Sequence, residues 1–343
     1  MIIFLDESKS KANLIPFSYT RHVADIRVGI LTIRQKWAIL LPKAIFADKL
    51  QAGALNIDAA VIPTNDNYKA LLNASANVEG SKLPSDIKTL SWPWLITHYN
   101  DWAIRKDFEI IIRGKTSAPI PSCVQASGEE NIFIEKGAIL RHCIINAENG
   151  PVYIGKNAEI MEGSLIRGPI AICESAMLKM GAKIYAGTTI GPYCVAGGEI
   201  KNSMLMGYSN KAHDGYLGDS VIGEWCNLGA GTSNSNLKNT GGNVRYKLSE
   251  KLDGFEVGTK AGLLMGDYSR AAINTSFNTG SVVGVCCNIF SERNPPVFIP
   301  NFTWGDEKYI LEKAFRDIDN WKKMKGQAIT EEEKNILQQL YNQ

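Results

Sequence analysis

No apolar run in this 343-residue chain approaches the roughly 20 residues that a membrane-spanning helix needs, and no block of like charge exceeds Glu331, Glu332 and Glu333. A formal net charge of +2 provides no broad cationic surface for nucleic acid or an anionic membrane. The expected partners are small molecules and further copies of the chain, with no nucleic acid and no membrane. Seven cysteines, an odd number without a CxxC pair, give neither a disulfide framework nor zinc spacing. Cys173 and Cys194 fall where a small buried hydrophobe is wanted, so they are expected as reduced packing residues. The opening MIIFLDESKSK meets an acid before any base and lacks a cleavable signal pattern, which makes the cytoplasm the expected compartment.

What the chain does have is a beat of six. Ile154, Ile160, Ile166, Ile172, Leu178, Ile184 and Ile190 keep strict register. Four residues after each stands, in order, Ala158, Ser164, Ile170, Ala176, Ala182, Thr188 and Cys194. Helical faces recur every ~3.6 residues and strand faces every ~2, so neither explains a period of six. Short flat strands joined by turns do, with three strands closing one triangular turn of a coil whose aliphatic residues stack inside. The beat returns at Met265, Ala271, Phe277 and Val283, and a weaker pair precedes it at Ile222 and Leu228. Where the period breaks, loops leave the coil, so function is to be sought between Val195 and Lys260.

Before the coil, IIFLD reads as a buried strand, a helix is expected within 27–41, a strand over 58–65, and a helix over NYKALLNAS. SWPWLITHYNDW is an aromatic segment, and EIIIRGKTSAP is expected to be β-rich. Such alternation predicts a mainly parallel sheet, with a boundary near Pro119 and Pro121. After the coil, an amphipathic helix should carry Ile310, Phe315, Ile318 and Trp321 on one stripe and stop at Gly326. Thr330 and Glu333 form a capping box for a last helix. These helices are expected to cover the coil's end or a neighbour.

LIPFSYTRHVADIRVGILTIRQKW resembles the start of a sugar-phosphate nucleotidyltransferase domain, with Leu14, Pro16 and Arg21 on the family's outline. That resemblance implies a shortened, Rossmann-type α/β domain over 1–120. DESKSKAN stands where the glycine-rich phosphate loop of the family belongs. Asp66 is the nearest candidate ligand for Mg2+, beside its alternative as a solvated turn aspartate. Arg21 and Arg27 are candidates for a bidentate phosphate clamp, beside their alternative as surface or ion-paired residues.

In the broken stretch, His213 sits among lysines, a tyrosine, asparagines and glycines, and a neutral imidazole there can accept a proton near pH 7. The strings His213-x-x-Tyr216-Leu217-Gly218-Asp219, Ile222-Gly223, Asn227-x-Gly229-Ala230-Gly231-Thr232 and Asn236-Leu237-Lys238 resemble the acetyltransferase half of bifunctional glucosamine-1-phosphate acetyltransferase and uridyltransferase enzymes. The resemblance implies a left-handed parallel β-helix over 130–292, a helical tail over 293–343 and a homotrimer. It implies His213 as general base, with Asn236 orienting the base or acceptor. Lys201, Tyr216, Asn227, Lys238 and Lys260 fall on substrate-binding positions. An amino-sugar nitrogen attacks an acyl-CoA thioester, such as acetyl-CoA, only when uncharged, so a base must take its proton while lysines hold the phosphate. Three readings stand: acyl transfer to an amino-sugar phosphate by the coil, Mg2+-dependent nucleotidyl transfer by the first domain, or a non-catalytic trimeric sugar-nucleotide scaffold.

Overall fold

The computed structural model describes residues 1–76, 87–250, 253–290 and 294–343. Ile2–Asp6 is the central strand of a three-stranded parallel sheet, between Ile45–Ala47 and Ala54–Asp58. Helix α1 spans Ile33–Leu40 and starts at Thr32, whose hydroxyl accepts from the Gln35 amide in a capping box. Helix α2 spans Tyr68–Ser75 and α3 spans Leu95–Ile111.

Two expectations fail here. The strand expected over 58–65 ends at Asp58, because the Asp58 carboxylate accepts from the Ala60 amide at 2.9 Å and turns the chain. The expected β-rich EIII is instead the end of α3, whose Ile96, Ala103, Ile104, Phe108 and Ile111 are buried. That burial outweighs the β-preference of a run of isoleucines.

From Gln125 the chain winds into a parallel solenoid of about 10 turns. Its three faces are sheets of six, nine and ten strands, called here the first, second and third face. Register explains the beat of six: Ile134, Ile154, Ile172, Ile190, Leu205, Ile222, Met265, Val283 and Ile299 stack as one column inside the second face. All nine are buried in one apolar core. Truncating any one of them would cost roughly 2–5 kcal/mol. The corner between second and third faces forces Tyr193, Tyr208, Trp225 and Tyr268 into positive φ. Ring stacking offsets that strain, with centroids 4.9 Å apart for Tyr193 and Tyr208 and 4.3 Å for Tyr208 and Trp225.

The amino-terminal domain lies along the second face. Met204, Val221, Leu264 and Val282 of the coil share an apolar core with Ile3, Leu5 and Trp37. The Asn100 amide donates to the Gly187 carbonyl at 2.7 Å, fixing α3 to the coil. Residues 235–250 and 253–262 leave the coil and fold onto the same domain through an antiparallel pair, Arg245–Tyr246 with Phe255–Glu256. Tyr246 stacks on Trp94 at 5.8 Å, and Phe255 meets Trp92 at 4.6 Å.

Helices α4 (Leu311–Lys323) and α5 (Glu331–Tyr341) pack with Trp225, Tyr268, Cys286 and Phe302, along a corner of the coil rather than over its end. The buried stripe of α4 is Leu311, Ala314 and Ile318, while Ile310, expected inside, precedes the helix and is 50% exposed. The helix stops at Lys323, short of Gly326. The expected junction at 292–293 lies outside the described residues.

Candidate functional site

On the first face, Glu199–Lys201 pairs with Tyr216–Gly218, placing Lys201 beside Gly218 and Tyr216 beside Glu199. At the corner that follows, Asn202 and Asp219 take positive φ one above the other. The Asp219 carboxylate accepts from the Asn202 amide at 2.6 Å and from the Asn236 amide at 2.5 Å. Asn236 also donates to the Tyr216 hydroxyl at 3.2 Å. Burial raises the Tyr216 pKa, and the charges of Asp219 and Glu199 raise it further, so the phenol stays protonated and can donate. His98 of α3 stands near enough to Asp219 to feel its charge, so the amino-terminal domain borders this cluster.

The 235–262 excursion closes beside the cluster. The Ala261 amide donates to the Asn236 carbonyl at 3.0 Å, and the Gly262 amide to the Asp219 carbonyl at 3.0 Å. Leu237 and Lys260 bridge across the neck, which leaves Lys260 exposed on the rim. Lys238 is exposed too, with its ammonium on the Asn243 carbonyl at 2.6 Å. His213 lies exposed at the turn that leads into Tyr216. Beneath it, the fully buried Lys211 donates to the His213 carbonyl at 2.5 Å. Burial pulls the Lys211 ammonium down to about 8, partly opposed by Asp214.

Lys201, Tyr216 and Asn236 therefore come together, with His213, Lys238 and Lys260 around them. Asn227 does not join them within one chain. It sits on the third face, between Asn210 and Arg270 in register. Asp219, Asn202 and Lys211 were not singled out from the sequence. The signal for the first two was spacing, since Asn202, Asp219 and Asn236 follow one another at 17 residues, one turn of the coil in this region.

The candidates of the first domain are engaged elsewhere. The Arg21 guanidinium is paired at 2.5 Å with Asp267 of the coil, and its side chain is 10% exposed. Arg27 is buried and donates to the Met206 and Ile30 carbonyls. Both join the domain to itself or to the coil and form no clamp. Asp66 pairs with Lys106 at 2.7 Å, and no group of three His, Cys, Asp or Glu that could hold a metal occurs among the described residues. Burial pushes the Cys226 thiol far above its ordinary range, which removes it as a nucleophile.

Residues 2–79 match the family described as sugar nucleotidyl transferase. The "Bifunctional protein GlmU" of Methanocaldococcus jannaschii is 37% identical over 89 residues, 26% of this chain and 21% of that protein. Its counterpart from Methanococcus maripaludis is 26% identical over 258 residues, 74% of this chain and 55% of the relative. The "Bifunctional sugar-1-phosphate nucleotidylyltransferase/acetyltransferase" of Sulfurisphaera tokodaii is 30% identical over 146 residues, 36% of each chain. The chain thus spans about half the length, or less, of the curated relatives it matches. With residues 2–79 matching a sugar nucleotidyl transferase family and a parallel solenoid following, the chain resembles these bifunctional proteins.

Proposed function

We propose that the chain is an acyl-CoA-dependent N-acyltransferase acting on an amino-sugar phosphate, with its chemistry on the coil. One observation carries this reading: Lys201, Tyr216, Asp219 and Asn236 surround one patch of the first face, with His213 and the excursion's neck at its edge. Lys201 and Lys260 supply mobile cations for a phosphate. Tyr216 and Asn236 supply oriented groups for sugar hydroxyls, and the His213 imidazole takes the proton released by the attacking amine.

Acetyl-CoA or another acyl-CoA supplies the activated acyl group. A groove of about 380 Å3 on the same face, lined by Ile144, Leu165, Arg167, Lys183 and Tyr185, has apolar walls and two cations and suits part of such a molecule. A cytoplasmic homotrimer is part of the proposal, because only another copy can bring a third-face residue such as Asn227 to a first-face site. Light scattering that finds a monomer would remove the shared site. Release of free CoA on mixing acetyl-CoA with glucosamine-1-phosphate tests the reaction, and a chain inert on every amino-sugar phosphate is a scaffold instead.

The match over residues 2–79 favours a second reading, sugar-1-phosphate nucleotidyl transfer. Against it, residues 11–13 form a tight helical turn where a phosphate loop is expected. Calorimetry with UTP or dTTP and Mg2+ decides, micromolar binding being the result that favours it.

A further inference from the structure

Arg270 stands on the third face between Asn227 and Asn288 in register, and it is 7% exposed. Its Nη1 donates to the Tyr268 carbonyl at 3.3 Å, and the Trp321 ring of α4 lies 5.1 Å from its guanidinium. Nε and Nη2 are buried and meet no hydrogen-bond partner among the described residues. Asp317 lines the same cavity, but it already accepts from the Tyr309 hydroxyl at 2.6 Å and from Arg316 at 3.2 Å. Burial lowers the Arg270 pKa, as desolvation of an unpaired cation must. Every other strongly buried arginine or lysine discussed above has an acceptor matched to it. Arg270 has two of its three guanidinium nitrogens over.

Those two donors point to a ligand. Nε and Nη2 share one edge of the guanidinium, the edge that meets two oxygens of a phosphate or carboxylate side by side. Arg270 lines a cavity of about 160 Å3, also lined by Asn288 and Asn320, whose amides can donate. A neighbouring cavity of about 250 Å3 shares Tyr309 and Asp317 and adds Lys308, Lys313 and Arg316. Across the two, among the described residues, Arg270, Lys308, Lys313 and Arg316 stand with Glu307 and Asp317, four cations against two carboxylates. The surplus of two matches a phosphate dianion better than a carboxylate.

We infer that the Arg270 cavity binds a phosphate group of a small molecule, held by Nε and Nη2 on two oxygens, at a site between the coil and α4. It lies on a different face from the acyl-transfer patch and does not rest on that reading. Free phosphate and the phosphates of coenzyme A share this chemistry.

The test is the melting temperature of the full chain at fixed ionic strength, titrated with inorganic phosphate, coenzyme A or dephospho-coenzyme A. A ligand that binds only the folded state raises it with concentration. The parent should respond to phosphate, and Arg270→Gln should not. A stronger response to coenzyme A than to dephospho-coenzyme A assigns the group to the coenzyme's 3′-phosphate; a response to phosphate with none to coenzyme A assigns it to free phosphate. Asn320→Asp supplies a counter-charge from α4, so it should melt higher than the parent in phosphate-free buffer and no longer respond. That variant decides the matter should Arg270→Gln fail to fold. A parent indifferent to all three compounds overturns the site, as does an Arg270→Gln protein that keeps the response.

Discussion

In the amino-terminal domain, Lys36, Asp107, Arg21 and Arg27 face inward and are matched, whereas beside the first face of the coil Lys201, His213 and Lys260 face outward. Lys36 and Asp107 form an ion pair with side chains 1% and 2% exposed, joining α1 to α3. Asp107 also accepts from the Ile30 and Leu31 amides at 2.8 and 3.0 Å. Burial pushes the Asp107 pKa up and the Lys36 pKa down, so each charge is tolerable only while the other is present. Lys201, His213 and Lys260 are exposed, and no ion pair ties them among the described residues. Charge in the first region is committed to architecture, and charge in the second remains available to a ligand. The region that matches a nucleotidyl transferase family thus has Arg21, Arg27 and Lys36 locked, while Lys201 and Lys260 stand open beside the coil's first face.

Substitutions on the two sides should separate activity from stability. His213→Ala should lower the acyl-transfer rate by roughly 10²- to 10⁴-fold, the usual worth of a positioned base, and leave the melting temperature near the parent's. Steady-state kinetics checks this, and an unchanged rate would defeat the assignment. Asp107→Ala should do the reverse. It strands the Lys36 ammonium and should cost about 3–5 kcal/mol of stability in denaturant titration. The double change Lys36→Met with Asp107→Leu should recover most of that loss, because no charge is left inside. If the single change proves as mild as a surface substitution, the pair is not the keystone that its burial suggests.

The coil was legible because an interior period of six has no other simple explanation, and its column of aliphatics appeared where the beat placed it. The site was legible only in part. Tyr216 and Asn227 are 11 residues apart, and on a three-faced coil that offset lands on another face, whereas 17 residues return to the same corner. Reading the motif as one line of residues therefore grouped side chains that the coil separates, and passed over Asn202 and Asp219. Helix α3 was missed at its end, since three successive isoleucines favour a strand until the coil's second face is there to bury them. Nothing local announced that residues 235–250 and 253–262 would fold back onto Trp92 and Trp94. That contact depends on where the domain docks.

A smaller effect is expected at Lys201, the cation nearest the Tyr216 patch. Lys201→Ala should raise the KM for the sugar phosphate by about 10- to 100-fold, the worth of a hydrogen bond to a charged group, and spare kcat. The KM for acyl-CoA should hardly move. A fall in kcat with an unchanged KM would mean that Lys201 acts only in the transition state.

The tail lies between the two extremes, half-buried and built on one carboxylate. Glu333 accepts from Lys322 at 2.5 Å, from the Tyr268 hydroxyl at 2.9 Å and from the Thr330 amide at 2.8 Å. Burial alone would raise its pKa, but Lys322, the Thr330 amide and the Tyr268 hydroxyl together outweigh burial, and the net shift is downward. A folded-state pKa below the unfolded one means that Glu333 contributes stability above its ordinary value of 4.5, and that this contribution is lost as pH falls through the lower folded value. Removing the cap by Thr330→Ala should loosen α5 by about 1 kcal/mol at neutral pH, since the Glu333 amide loses its acceptor. Glu333→Gln should keep the shape of the box but flatten the acid dependence. Amide exchange over residues 330–341 reads both: Thr330→Ala should speed it at neutral pH, and Glu333→Gln should bring the neutral and acid patterns together once intrinsic rates are corrected. Acid loosening that persists unchanged in Glu333→Gln would place the titrating group elsewhere, and the tail would then side with the open charges of the coil rather than the locked charges of the domain.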